Sequence, residues 1–301
     1  MDLSVIIVNW NTKEFLLPCV RSALESAQGI SSEVIVVDNG SRDGSGEEVK
    51  KKFPFIHLIE NKKNLGFAKA ANQGLEKASG GYLLLLNPDT QVKGSAIERL
   101  VSFMESHPEA GVAGGQLLNA DASRQNSIAN FPSLATELLN KSLLRWLFPK
   151  RFPGKERGYL KPIEVDSVIG ACMVVRWDTL DQVGLLDEDY FIYGDEADLQ
   201  YRLHKKGWKV YFLPSVNTIH YGGRSMDRWR RRKMVYRGKM LFYKKNYGPL
   251  RTGILRMMLF ILSFVKMLVW GSAFVFPHWR DRAQNELDSN LEVIKLCWNL
   301  K

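Results

Sequence analysis

Cysteine, internal repeats and low-complexity tracts are scarce or absent in this sequence. Its three cysteines, Cys19, Cys172 and Cys297, lie far apart without metal-ligand spacing, which suits a reducing compartment. The first apolar run is only a strand long and becomes polar at Asn9, so we expect no signal peptide. No Gly-x-Gly-x-x-Gly follows that run, which disfavours a dehydrogenase.

Positive charge is distributed unevenly along the chain. The 301 residues have a formal net charge of +10, and their 45% hydrophobic and 25% charged content is typical of a globular protein. Residues 224–256 contain twelve Lys/Arg and one Asp, a local charge of +11, so the remaining chain is close to neutral. Such a segment suits nucleic acid, anionic lipid or a diphosphate as its partner.

Three short apolar runs each end in polar residues. Residues 4–8 are followed by Asn9, residues 34–37 by Asp38, and residues 82–86 by Asn87-Pro88-Asp89. Such runs, alternating with helical segments, predict buried parallel strands in an α/β sheet, whose ligands bind beyond the carboxyl ends of the strands. The alternative is that these polar residues only form turns. Asn11 with Glu14 and Ser45 with Glu48 predict capping boxes on two of the helices.

Two groups of residues are candidates for chemistry. Asp89 offers oxygen ligands that suit a hard divalent cation bridging a diphosphate. Asp195, Glu196 and Asp198 open a predicted helix after the aromatic stretch 190–193, which would desolvate them and suit one of them as a general base. The alternative is that the three acids only stabilise the helix dipole.

Arg202 and His220 are further candidates near these acids. Arg202 lies four residues after Asp198, on the same helical face, and would hold a carboxylate or bind a phosphate. His220 lies between a predicted strand and two glycines, and it is either a structural residue or a ligand.

Together these residues resemble a family-2 glycosyltransferase of the GT-A fold, most closely the rhamnosyltransferase-like branch that builds bacterial cell-surface polysaccharides. The resemblance covers roughly residues 1–225. The matching stretches follow the family's order: 4–11, 36–45, 64–74, 84–90, 170–173, 187–203 and 220–225. The resemblance implies a Rossmann-like, mostly parallel sheet flanked by helices.

The resemblance also implies a role for individual residues. Asp38 would read the nucleobase, and the remaining nucleotide-sugar contacts would come from Asn9, Asn64, Gly66, Asn72, Asn87 and Arg202. Asp89 corresponds to the last acid of the Asp-x-Asp metal motif, and His220 to a histidine that ligates Mg²⁺ or Mn²⁺ or touches the diphosphate. The family's base lies in a Glu-Asp pair, reversed here as Asp195-Glu196. Glu196 is the first candidate by position, and Asp198 is the candidate after this pair.

The implied activity is inverting transfer of a single sugar. Processive members carry Gln-x-x-Arg-Trp, which Gln200-Tyr-Arg-Leu-His204 does not match. The donor would be a nucleotide-diphosphate sugar, with dTDP-rhamnose as the candidate, and the acceptor a lipid-linked or surface glycan. The alternatives are a nucleotidyltransferase with a similar site and a nucleic-acid-binding module on residues 228–237, in which Trp229 and Tyr236 could stack on bases.

The apolar stretch 254–276 follows the basic segment and is long enough to suggest a transmembrane helix. Lys266 near its centre would cost roughly 2.5–3.5 kcal/mol on insertion. Thr252, Arg256, Ser263 and Lys266 fall within an arc of about 80° on a helix, which favours a helix lying in the membrane surface. A buried core helix is the alternative.

The predicted organisation is therefore a catalytic domain at 1–225 and a membrane-associating helical tail at 226–301. The catalytic domain would have a nucleotide-sugar half at 1–119 and an acceptor half at 120–225. We expect a cytoplasmic protein held peripherally at the inner face of the plasma membrane, near a lipid-linked acceptor and without nucleic acid as a partner.

Overall fold

The structure is a computed structural model that describes residues 1–139, 141–154, 158–222 and 228–299. Residues 223–225 of the last predicted motif, and Arg224 at the start of the basic segment, lie outside this description. The chain divides into two compact units. The first contains Met1–Phe191 and Asp195–Ser225, and the second contains Ile192–Gly194 and Met226–Lys301.

The first unit is built on a mixed β-sheet. Its strands are β1 Leu3–Asn9, β2 Ser32–Asp38, β3 His57–Glu60, β4 Tyr82–Leu86, β5 Thr90–Val92, β6 Ala110–Leu118, β7 Ile128–Ala129, β8 Ile163–Val165, β9 Ser167–Val168, β10 Cys172–Arg176 and β11 Lys209–His220. Strands β3, β2, β1 and β4 lie side by side in that order and are parallel. β10 joins β4 to β6 through antiparallel pairs, and β11 runs parallel to β6.

Shorter antiparallel pairings complete the sheet and leave it more mixed than the resemblance implied. β5 and β8 each pair antiparallel with β11, and β7 and β9 form a separate two-stranded ribbon. The pairing of β11 with β6 is irregular between Leu213 and Asn217, where Pro214 lacks the backbone donor that a regular ladder needs. The predicted α/β class with a Rossmann-like parallel half is confirmed.

Helices cover both faces of this sheet. They are α1 Lys13–Ser26, α2 Ser45–Lys52, α3 Phe67–Leu75, α4 Ala96–Ser106, α5 Leu134–Leu138, α6 Lys141–Leu147, α7 Trp177–Val183 and α8 Asp195–Lys205. Val5 and Ile7 of β1 pack into one core with α1 and α4, while Ile6 and Val8 pack into a second core with α3 and α8. Burial on both faces explains why the strand sequences are continuously apolar.

The two predicted capping boxes are wrong. α1 begins at Lys13, and Asn11 adopts a positive φ of 53° and accepts a hydrogen bond from the Arg42 amide. α2 begins at Ser45 itself, after Gly44 in the left-handed region. The side chains of Asn11 and Ser45 instead form hydrogen bonds with loops at the sheet edge, where distant parts of the chain supply the partners.

The second unit contains the helices α9 Arg228–Asn246, α10 Gly248–Ser272 and α11 Arg280–Asn299. Two short 3-10 turns, Ala273–Val275 and Pro277–Trp279, connect α10 to α11. Two basic residues of α9 are paired with acids of α11: Arg232 with Glu286 at 3.0 Å, and Lys233 with Glu292 at 2.5 Å. Part of the predicted +11 charge is therefore neutralised within this unit.

Helix α10 buries two of the four residues in its predicted polar stripe, while Lys266 of that stripe is exposed. Thr252 and Ser263 are buried together with Leu255 and Leu259, whereas the apolar side of the helix is exposed. The stretch Gly248–Val275 is long and apolar enough to cross a membrane, with a mean hydropathy of 2.0. Only 11% of its 18-residue apolar segment is buried. This low burial disfavours the alternative of a buried core helix.

Candidate active site

The strand register brings the predicted site residues to one edge of the sheet. Asn9 pairs directly with Asp38 at the ends of β1 and β2. Ile7 pairs with Leu86 in β4, so Asn87 lies at nearly the same level as Asn9. Because these strands are neighbours and parallel, their polar ends form one continuous rim, as the sequence predicts.

Asn9 is a buried organiser of this rim. Its Nδ2 donates to Asp38 Oδ1 at 2.7 Å and to Ser45 Oγ at 2.7 Å, and its Oδ1 accepts from Thr12 Oγ1 at 2.6 Å. The Ser41 amide donates to the other Asp38 oxygen at 3.2 Å. With 0% of Asn9 exposed, its visible role is to orient Asp38, and its predicted contact with the nucleotide stays a prediction.

Asn39 is a structural residue of the site that the sequence reasoning missed. Its Nδ2 donates to Asn64 Oδ1 and to the Gly66 carbonyl, both at 3.1 Å, and its Oδ1 accepts from the Leu65 amide at 3.0 Å. Asn39 thereby anchors the loop before α3 beside Asp38. The available signal was its position directly after Asp38, inside the matching stretch 36–45.

Gly66 and Asn72 hold the segment that leads toward the acidic helix. Gly66 has a φ of +92°, and a Cβ there would lie 2.7 Å from the Phe191 carbonyl oxygen, so only glycine fits. Asn72 Nδ2 donates to the Leu186 carbonyl at 2.8 Å, and its Oδ1 accepts from the Leu186 amide at 3.1 Å. These contacts use most of the hydrogen-bonding capacity of Asn72 within the protein, and its nucleotide contact stays a prediction.

Asp89 and His220 come together at the other part of the rim. His220 pairs with Thr90 across β11 and β5, which places its Nε2 3.4 Å from Asp89 Oδ1. Gln125 Nε2 donates to the His220 carbonyl at 2.5 Å, so the Gln125 Oε1 that lies 3.0 Å from His220 Nδ1 must act as an acceptor. This arrangement assigns the proton to Nδ1 and leaves Nε2 facing Asp89.

This pair has the donor set of a cation site that is completed by a ligand. Mg²⁺ and Mn²⁺ can bind a carboxylate oxygen and an imidazole nitrogen. Gln125 fixes the orientation of the His220 ring, as hydrogen-bond partners of metal-ligating histidines do. Within the described residues, no group of three or more His, Cys, Asp or Glu side chains could hold a metal alone. Diphosphate oxygens would have to supply further ligands.

Asn87 lies beside this pair with its side chain available. Its backbone amide donates to the Ala171 carbonyl at 2.9 Å, and its carbonyl accepts from Thr90 Oγ1 at 2.7 Å. Within the described part of the chain its half-buried side chain makes no hydrogen bond. The predicted turn at Asn87-Pro88-Asp89 is thus held by its backbone, which leaves the Asn87 amide for a ligand.

The acidic pair at the start of α8 combines one buried and one partly exposed carboxyl group. Asp195 is 2% exposed, whereas Glu196 is half-buried and packs beside Gly170, where an added Cβ would lie 3.2 Å from the Glu196 Cβ. Burial, followed by the adjacent Glu196 carboxylate, raises the pKa of Asp195 well above its usual value. The two side chains share a hydrogen bond, in which protonated Asp195 is the donor.

Buried Asp198 and partly exposed Arg202 form a separate ion pair. Arg202 Nε donates to Asp198 Oδ2 at 2.8 Å, and its Nη2 donates to the Leu185 carbonyl at 2.8 Å. Tyr190 donates to the other Asp198 oxygen at 3.3 Å, and burial with the Asp198 charge raises the pKa of this tyrosine. Of the two roles expected for Arg202, the contacts match the holding of a carboxylate, while phosphate binding stays a prediction.

Comparisons with known proteins agree with this geometry. The family model for glycosyl transferase family 2 matches residues 4–184. An N-acetylglucosaminyl-diphospho-decaprenol L-rhamnosyltransferase of Mycobacterium tuberculosis is 29% identical over 210 residues, which cover 65% of this chain and 68% of the relative. The low-salt glycan biosynthesis hexosyltransferase Agl10 of Haloferax volcanii is 28% identical, over 78% of this chain and 72% of its own.

Solved structures show the same fold. The mannosyltransferase PcManGT from Pyrobaculum calidifontis, in complex with GDP-Man and Mn²⁺, has a TM-score of 0.60 at 14% identity and covers 99% of this chain and 88% of its own. GalNAc-T7 with UDP, GalNAc and Mn²⁺ has a TM-score of 0.56 at 16% identity, over 81% of this chain and 51% of that one. The predicted GT-A fold is confirmed.

Proposed function

Because the chain belongs to glycosyl transferase family 2, we propose that it moves one sugar from a nucleotide-diphosphate sugar to a lipid-linked or surface-polysaccharide acceptor, with inversion. The family model and the rhamnosyltransferase relative make the chain a glycosyltransferase. The donor, the acceptor and the stereochemistry are the proposed part. The proposal assigns their recognition to residues at and beside the rim formed by β1, β2 and β4.

One arrangement carries the proposal. The Asn87–Asp89 turn and the acid Glu196 lie against the same short segment: Ala171 accepts a hydrogen bond from the Asn87 amide, and Gly170 packs on Glu196. A diphosphate held at the turn and an acceptor hydroxyl held at Glu196 would therefore meet across residues 170–171. An in-line displacement needs the leaving group and the base on opposite sides of the reacting carbon, and this proximity supports that proposal.

Glu196 is the proposed general base and Asp195 its positioning partner. Protonated Asp195 donates to Glu196 and so orients the Glu196 carboxyl group. Glu196 takes the proton of the acceptor hydroxyl while that oxygen forms a bond to the anomeric carbon. The bond from this carbon to the diphosphate oxygen breaks, and the nucleotide diphosphate leaves with the electron pair, which inverts the anomeric centre.

Asp89 and His220 would hold a divalent cation on the diphosphate, with Asn87 as a neutral neighbour. When bound, the cation would neutralise the charge of the leaving diphosphate. The protein's own contribution is positioning: Gln125 orients His220, and the backbone contacts of the turn orient Asp89. Asp38, oriented by Asn9, would accept a hydrogen bond from the nucleobase.

The activity for which the mycobacterial relative is named supports the choice of substrates. Its name specifies rhamnosyl transfer onto N-acetylglucosaminyl-diphospho-decaprenol. We propose dTDP-rhamnose as the first donor to test and a polyprenyl-diphosphate-linked sugar as the first acceptor.

A panel of nucleotide sugars tests the proposal. The protein is incubated with dTDP-rhamnose, UDP-sugars or GDP-sugars, a polyprenyl-diphosphate-N-acetylglucosamine acceptor, and Mg²⁺ or Mn²⁺. We expect release of a nucleoside diphosphate and one added sugar, with an anomeric configuration opposite to that of the donor by NMR. Retained configuration or repeated addition would contradict the proposal, as would consumption of nucleoside triphosphate with release of pyrophosphate, the outcome for a nucleotidyltransferase.

A further inference from the structure

The outer face of α10 is a continuous apolar surface in the second unit. It consists of the exposed side chains Leu250, Met257, Ile261, Phe264, Val265 and Leu268. At 100° per residue these positions fall within an arc of about 100°, so they form one stripe along the helix. Leu268, for example, is 61% exposed. Because soluble proteins seldom leave such a patch uncovered, the face indicates a docking surface.

The inner face of α10 packs on α11. Phe260 of α10 contacts Trp298 near the end of α11 at 6.1 Å between ring centroids, whereas Trp270 lies beneath Arg282 near the start of α11 at 5.3 Å. The two helices are therefore antiparallel and adjacent over most of α10. Lys266 is exposed and, at 100° per residue, projects about 150–160° away from the centre of the outer face.

We propose that the outer face of α10 docks on an anionic phospholipid bilayer, with α10 lying in the membrane plane and α11 on its water side. The 25 residues of α10 would extend about 37 Å, enough to cross a hydrocarbon core. Crossing, however, would carry the α11 acids into the bilayer or separate α11 from the inner face of α10. The packing of α11 thus favours an in-plane helix over a spanning one.

The charges around the outer face favour lipid over a second copy of the chain. Exposed basic residues lie near both ends of α10: Lys244, Lys245, Arg251, Arg280 and Arg282. They complement anionic headgroups, whereas the same basic rims on two copies would repel each other. The acids that pair with α9 belong to α11, so they do not lie on the outer face.

Aromatic residues at the C-terminal end of the stripe match a membrane interface. Arg282 lies 5.3 Å from the ring centres of both Trp270 and Trp279. Indole rings prefer the headgroup region, where one edge is apolar and the other hydrated. This proposal does not depend on the identity of the donor or the acceptor.

Vesicle flotation of the full-length protein tests the proposal, without donor or acceptor. The vesicles contain phosphatidylcholine alone or mixed with phosphatidylglycerol. We expect flotation with the anionic vesicles, weaker flotation at high salt, and release by carbonate washing. A double variant with Phe264→Glu and Leu268→Glu should float at least about tenfold less, because two carboxylates would enter the headgroup boundary. The matched control, Gln284→Glu with Asn285→Glu on exposed positions of α11, should float like the wild type.

Three outcomes would overturn the proposal. They are equal flotation of the outer-face variant and the wild type, resistance to carbonate, and a lipid-independent dimer that the outer-face variant dissociates. If the variant does not fold, quenching of wild-type tryptophan fluorescence by brominated phospholipids distinguishes an in-plane helix from a spanning one. Bromines near the headgroup should quench more than bromines near the acyl terminus, and the reverse order would indicate a spanning helix.

Discussion

Asp89 is the residue whose removal tests the cation site most directly. We expect Asp89→Ala to abolish transfer and to weaken Mn²⁺ binding in the presence of nucleoside diphosphate, because His220 would remain as a lone ligand. The fold should persist, since Asp89 makes its side-chain contact at the rim and not in either core. Calorimetry of Mn²⁺ binding and the thermal midpoint Tm measure the two effects. Asp181→Ala, at an exposed position of α7, is the control, and near wild-type turnover of a folded Asp89→Ala protein would reject the assignment.

The two acids that open α8 should respond differently to substitution by their amides. Glu196→Gln should lower turnover by about 10²–10⁴-fold, the usual loss for a missing general base, with donor binding retained. Asp195→Asn should lose less, because its amide can still donate to Glu196. Steady-state rates and donor Kd values measure both. A larger loss of turnover in Asp195→Asn than in Glu196→Gln would make Asp195 the base. Full turnover in both variants would make Asp198 the next candidate for the base.

The buried carboxyl group of Asp195 also predicts a pH dependence of stability. Its raised pKa means that the folded protein retains a proton that the unfolded chain releases above about pH 4. The stability from this group is therefore complete at low pH and is lost as pH rises toward the folded-state pKa. We expect the Tm of Asp195→Asn to exceed that of the wild type by a margin that widens above about pH 4. A margin independent of pH, or an equal effect in the exposed control Asp181→Asn, would contradict this prediction.

At the scale of elements, Asn72 is the clamp between α3 and the segment that approaches α8. Asn72→Leu would remove both hydrogen bonds to Leu186 and leave buried backbone groups unpaired, which should lower the free energy of unfolding by about 1–3 kcal/mol. Turnover should fall more than donor affinity, because the displaced segment leads to the acid pair. Lys69→Ala, which removes only the half-exposed ion pair to Glu188, is the control and should cost less than about 1 kcal/mol.

Donor affinity in the Asn72 variant separates a clamp from a ligand. If Asn72→Leu weakens donor binding in proportion to turnover while stability is unchanged, Asn72 contacts the nucleotide, as the family resemblance implies. Chemical denaturation and equilibrium binding, measured on the same preparation, provide both quantities.

At the scale of the whole molecule, the division into two compact units makes the predicted domain boundary testable. A chain that ends at Ser225 should fold and bind the nucleotide donor with an affinity close to that of the full chain, because the rim residues belong to the first unit. It should no longer float with anionic vesicles. Failure of this shortened chain to fold, judged by circular dichroism beside the full-length protein, would show that the second unit is part of the folding unit.

The sequence by itself determined the sheet, its polar rim and the family. Apolar runs that end in Asn9, Asp38 and Asn87 are local signals, and neighbouring parallel strands bring their ends together in any fold that buries such runs. The pairing of Asp89 with His220 came from the resemblance alone, since 131 residues separate them and no periodicity connects them.

Only the tertiary structure decided which of these polar groups organise the rim and which remain available. Asn9 and Asn39 form hydrogen bonds with residues about 25–36 positions away, and Gln125 orients His220 from 95 positions away. No local pattern could reveal these partners. The orientation of α10 has the same origin. Thr252 and Ser263 could have faced water, but both are buried in the structure. The apolar side is left exposed because α10 packs on α11 through its other face.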